Sequence, residues 1–137
     1  MRSVAMTLIA SALLLVGCEE EVVSGNAKLE LELVGLTYEF RDGRHTYNHD
    51  RHFAESAGVG VNIKRGKVCV RAGEECVDAL VEYRIEPSQT LVQKGHHVAT
   101  PAAKDTITMH YWAEDDAGNA FELHKVMKTD GKSVVIE

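Results

Sequence analysis

The stretch Lys28–Val34, KLELELV, decides the fold class. Leu29, Leu31 and Leu33 alternate with Glu30 and Glu32, and a period of two belongs to an extended strand with one face buried and the other in water. Leu36, Tyr38 and Phe40 continue the alternation on the other parity, so the phase must shift by one residue, and Gly35 is the predicted bulge. The same rhythm recurs outward from this stretch. VGVNI supplies Val59, Val61 and Ile63; VDALVEYRI supplies Val77, Ala79, Val81, Tyr83 and Ile85 and is ended by Pro87. DTITMHYWAE places Ile107, Met109, Tyr111 and Ala113 on one face, AFELHKVM follows with Phe121 and Leu123, and SVVIE closes the chain. Seven or eight strands at this spacing predict an all-β domain, a single small β-sandwich. One segment breaks the rhythm: HTYNHDRHFAESAG, residues 45–58, is predicted to be a loop or a short helix.

A chain of 137 residues has room for one such domain. Its apolar share of 45% is enough for a core. A net charge of −6, with no basic run, argues against a nucleic-acid surface.

The first residues carry a different signal. Arg2 is the only charge before residue 18, and Val4 to Val16 is apolar or small throughout. This is the layout of a secretory signal and too short to span a bilayer comfortably. It ends in Leu15-Val16-Gly17-Cys18, which resembles a bacterial lipobox. The resemblance implies cleavage before Cys18, a diacylglyceryl group on its thiol and acylation of the freed amine; two or three acyl chains give the lasting anchorage that one does not. The alternative is an ordinary signal with a cysteine at the cut site. The expected organisation is a signal peptide over 1–17, a lipidated cysteine and tether over 18–27, and the sandwich over 28–137. Glu19, Glu20 and Glu21 would hold the tether off the lipid. By the rule of enteric lipoproteins, an aspartate after the cysteine favours the inner membrane. Glu19 in that place leans towards the outer membrane of the cell envelope.

Export puts the other cysteines in an oxidising compartment. Cys69 and Cys76 lie in VCVRAGEECV, a hairpin pattern, and pairing about Ala72–Gly73 sets them opposite one another, within reach of a disulfide. Six intervening residues fit neither a redox CxxC pair nor a zinc C-x2-C pair, so a structural staple is expected.

YWAEDDAGNAFE, residues 111–122, resembles the last hairpin of bacterial immunoglobulin-like domains, through Tyr111, Ala113, Asp115, Ala117, Gly118 and Asn119. The resemblance implies an immunoglobulin-like sandwich. It describes a turn and implies no activity. In it Tyr111 and Ala113 point inward, Asp115 bonds turn amides, and Gly118 and Asn119 accept positive φ. Trp112 takes the opposite parity, which makes it either a surface anchor for a partner or a ring half covered by a neighbouring loop.

No G-x-S-x-G setting, phosphate loop or HExxH is present, which disfavours an enzyme. Seven histidines are the unusual feature. His45, His49 and His52 would share a face if their segment were helical, and three imidazoles could hold Zn²⁺ or Cu²⁺; the plainer reading is a polar loop. His96 and His97 cannot both face one site if extended. His110 and His124 flank the DDAGN turn on facing strands and are expected near one another, and DDAGN itself is a weak Ca²⁺ candidate. The expected function is therefore a non-catalytic, membrane-anchored recognition module for another protein. Its alternatives are a Zn/Cu-binding envelope lipoprotein and an inhibitor of an envelope hydrolase.

Overall fold

The structure, a computed structural model, describes residues 25–137. The signal peptide, Cys18 and most of the tether lie outside the described residues. Among those described, every element is a strand: β1 (Leu29–Arg41), β2 (Arg44–Glu55), β3 (Val61–Val70), β4 (Glu75–Ile85), β5 (Thr90–Thr100), β6 (Lys104–Asp115), β7 (Ala120–Asp130) and β8 (Ser133–Ile136). They form two antiparallel sheets, in the orders β1-β2-β5 and β4-β3-β6-β7-β8. The chain changes sheet after β2, β4 and β5, and the inner faces close on one core, the two-layer solution for sheets with one apolar face.

Leu31 is buried and Leu29 and Leu33 half-buried, while Glu30 and Glu32 face water. The β1–β2 register shifts between Val34 and Thr37, and Gly35 takes φ +66°, so the bulge lies where the change of parity demanded it. Tyr47, Phe53, Ile63, Ile85, Ile107, Tyr111 and Met127 fill the centre, with Phe53 meeting Tyr111 edge-on at 5.2 Å between ring centroids. Gly66 faces Tyr111 across β3 and β6, where a Cβ would stand 3.0 Å from the ring.

One segment differs from the expectation, and one strand, β5, was not among those predicted. Residues 45–55 are neither loop nor helix but most of the central strand of the three-stranded sheet. Tyr47, His49, Arg51, Phe53 and Glu55 alternate inward, and three of these are polar, so the period of two is present but hidden from an apolar count. Strand β5 was masked by a second bulge. The β2–β5 register shifts between His49 and Arg51, Gly95 takes φ +72°, and the inward parity changes from Leu91 and Gln93 to His96, Val98 and Thr100. On β4, Ile85 is buried but Val77 remains 72% exposed, because the smaller sheet does not cover that end.

Three carboxylates tie off the ends. Glu55 accepts the backbone N–H of Lys28, Ala57, Gly58, Val59 and Ser88, joining the start of β1 to two loops. Asp115, at the same end, accepts Ala27, Ala117 and Asn119 N–H, as the turn pattern predicted. At the other end Asp105 accepts Arg71 and Ala72 N–H from the β3–β4 turn and the Thr100 hydroxyl.

Candidate functional site

Cys69 and Cys76 are direct partners in the β3–β4 ladder and are joined by a disulfide, with Cα atoms 4.1 Å apart. Arg71, Ala72 and Gly73 all take positive φ in the turn beyond it. The Asp105 carboxylate holds two of their amides, so the stapled tip is also braced from β6.

The three histidines of β2 do not converge. His45 is engaged by Tyr38, whose hydroxyl lies 2.7 Å from Nδ1. His49 is buried in the sandwich with Nδ1 on the Tyr47 carbonyl, and His52 points to the opposite face. A strand alternates faces where a helix would have aligned the three. His49 instead joins an interior polar group with Arg51 and His96. The Arg51 guanidinium donates to the Tyr111 hydroxyl at 2.8 Å and approaches His96 Nε2 at 3.1 Å, while its Nε makes no hydrogen bond among the described residues. Burial, and then the Arg51 charge, push both His49 and His96 below the ordinary histidine value, which disfavours their protonation beside the cation.

The outer face of the five-stranded sheet carries the other cluster. Along β6 and β7 the facing pairs are Thr108–Val126, His110–His124, Trp112–Glu122 and Glu114–Ala120. Trp112 is half-buried, and side chains of β3 and β6 pack on its ring. The His110 ring stacks on it at 3.6 Å, and the Arg65 guanidinium of β3 lies 4.2 Å from its centroid. Arg65 is fixed in turn by Asp78 on β4 through a fork of two hydrogen bonds, one of them 2.9 Å from Nε to Oδ1. Leu80, the ladder partner of Arg65, is 88% exposed.

Beside the tryptophan, the expected His110–His124 proximity is present, with ring centroids 3.9 Å apart. Burial, and then His124, hold the His110 pKa below its usual value. Glu122 completes the cluster: its Oε1 is 3.4 Å from His110 Nε2 and its Oε2 4.0 Å from His124 Nε2. The residue reading had not singled out Glu122. The available signal was the spacing Glu122-Leu123-His124, which puts two ligand-type side chains on one strand face opposite His110. Chemically, the face offers a braced aromatic surface, an exposed leucine and a His/Glu/His group.

No family model matches the chain, and no curated protein matches it. Among solved structures, the chain is similar to that of a protein from Bordetella pertussis assigned as ApaA, at 13% identity and a TM-score of 0.50, over 81% of this chain and 89% of that one. At that identity the likeness shows a shared β-sandwich fold.

Proposed function

We propose that the chain is a non-catalytic recognition domain, tethered by a lipid at Cys18 to the bacterial envelope, in the outer membrane, and that it binds another protein through the outer face of its five-stranded sheet. The observation that carries this is the bracing of Trp112. Its ring is packed between His110 and Arg65, the latter fixed by Asp78, with the exposed Leu80 beyond Arg65 on the next strand. An aromatic surface already held in place loses little conformational freedom on binding, and Trp and Arg are the residues that most often dominate interface energies.

The tether supports the same reading. It enters beside Ala27 and Lys28, which Asp115 and Glu55 pin at one end of the sandwich, so the β3–β4 tip projects from the other end. The Greek-key changes of sheet support an immunoglobulin-like origin for the sandwich. The disulfide-stapled tip braced by Asp105 favours a second reading, an inhibitor that inserts a rigid loop into an envelope hydrolase.

The test is capture of partners from envelope extract with the lipidated protein and with its Trp112→Ala variant. If the ring is the anchor, affinity for the captured protein falls by about 2 kcal/mol, roughly thirtyfold. Equal capture by both forms would remove the sheet face from the reading. A partner lost instead when Arg71–Glu74 is replaced would favour the inhibitor.

A further inference from the structure

We propose that His110, Glu122 and His124 form a binding site for a divalent first-row transition ion, Zn²⁺ or Cu²⁺, on the outer face of the five-stranded sheet. The three side chains offer two imidazole nitrogens and a carboxylate, all within 4.8 Å of one another. A tetrahedral ion with bonds of about 2.0–2.2 Å needs its ligand atoms about 3.3–3.6 Å apart. His110 Nε2 and Glu122 Oε1 already stand at 3.4 Å, and His124 Nε2 is 4.0 Å from Glu122 Oε2. The His124 and Glu122 side chains are 61% and 52% exposed, so both are free to rotate inward by the ångström or so that separates the present spacing from a closed site.

A second observation points to the same place. Nε2 of His110 is buried yet makes no hydrogen bond among the described residues, despite the carboxylate oxygen 3.4 Å away. A buried ring nitrogen without a partner is costly, and a metal bond would satisfy it. The ring is kept in that orientation by stacking on Trp112, so one ligand is positioned before any ion arrives. Of the nearby cations, Arg65 is held by Asp78, and Lys67, the ladder partner of His110, has Asp78 as its ladder partner on the other side. Three protein ligands leave a coordination position open to solvent, the pattern of an ion that accepts an external ligand rather than one that only holds the fold. Two imidazoles and one carboxylate suit Zn²⁺ and Cu²⁺ better than Mg²⁺ or Ca²⁺.

Trp112 is the only tryptophan in the chain and supplies the readout. Bound Cu²⁺ at His110 would quench a ring 3.6 Å from its imidazole. The full chain in detergent, titrated with Cu²⁺, is expected to lose its tryptophan emission with one-to-one saturation, and prior Zn²⁺ to suppress that loss by competition. His124→Gln and Glu122→Gln alter exposed side chains and leave Trp112 in place; each is expected to weaken the quenching constant by about tenfold or more, since loss of an outer-shell partner alone costs that much. A His45→Gln/His52→Gln double variant should titrate like the wild type. Quenching that is unsaturable, that persists unchanged in both His124→Gln and Glu122→Gln, or that disappears in the β2 double variant would overturn the assignment. The outcome is independent of partner capture, which is read with Trp112→Ala and no added metal.

Discussion

Replacing Glu55 by Gln tests how the sandwich is held together at the end where the chain enters. The carboxylate accepts Lys28 N–H and Ala57 N–H on Oε2 at 2.9 and 2.8 Å, and Gly58, Val59 and Ser88 N–H on Oε1 at 2.6, 2.9 and 3.1 Å. Burial alone would raise its pKa. The amides of Lys28, Ala57, Ser88 and Val59 outweigh burial and bring it from 4.5 down to about 2. That difference corresponds to about 3 kcal/mol at neutral pH, trimmed to about 2–3 because the loops border water. The sign is that of a depressed carboxylate: the contribution is complete above pH 4.5, where the unfolded group is ionised, and is lost as pH falls through the folded value near 2. At pH 3 only about 1 kcal/mol of it remains. The Gln oxygen can serve about two of the five donors, and its NH₂ would face the others, so the variant keeps neither the charge nor the full set of bonds.

The assay is urea unfolding of the full chain and of Glu55→Gln at pH 7 and pH 3. The stability gap should be about 3 kcal/mol at pH 7 and should narrow by about 1–2 kcal/mol at pH 3. Asp78, Asp105, Asp115 and Asp116 are also held below their ordinary values, but they titrate in both proteins and cancel in the comparison. A gap of the same size at both pH values would refute the reasoning, because the carboxylate charge would then contribute nothing.

Three further perturbations probe other parts of the molecule. Gly66→Val places methyl groups against the Tyr111 ring, already 3.0 Å from a hypothetical Cβ, and should cost about 1–3 kcal/mol by thermal unfolding; an unchanged melting temperature would show that the ring can move aside. Cys69→Ser with Cys76→Ser should leave a folded domain weaker by about 2–3 kcal/mol, the value for so short a loop, and failure to fold would mean that the staple is needed for more than chain entropy. Arg51→Met should match or exceed wild-type stability in urea, because the guanidinium is buried with no carboxylate partner among the described residues; a loss beyond about 2 kcal/mol would show that its bonds to Tyr111 and His96 outweigh its desolvation.

Legibility in the sequence followed side-chain polarity. Where inward positions are apolar, as at Leu29–Leu33 or Ile107–Ala113, the strand and its buried face could both be read, and the change of parity even located the bulge at Gly35. Where inward positions are His49, Arg51 and Glu55, the same alternation was invisible, because each is polar for a reason only the tertiary structure supplies. Arg51 reaches Tyr111 on the opposite sheet, and Glu55 gathers amides from segments 27 and 33 residues away. The β5 alternation was lost differently, through the phase change at Gly95.

The outer-face cluster shows how far register carries an argument. Once the DDAGN turn fixes the β6–β7 hairpin, His110 must face His124 and Trp112 must face Glu122, since antiparallel partners keep a constant sum of residue numbers. The histidine pair was therefore available from the sequence. What register alone does not convey is rotamer: Glu122 reaches diagonally to His110, and His110 turns its ring onto Trp112 instead of into solvent. That choice depends on β3, whose bulge between Ile63 and Arg65 brings Arg65 level with Trp112. Without that bulge the next residue along, Lys64, would fall opposite Trp112, and its flexible ammonium would replace a planar guanidinium forked onto Asp78. Arg65→Lys should accordingly leave the sheet intact but loosen the Trp112–His110 stack that both the partner-binding and the metal-binding proposals use.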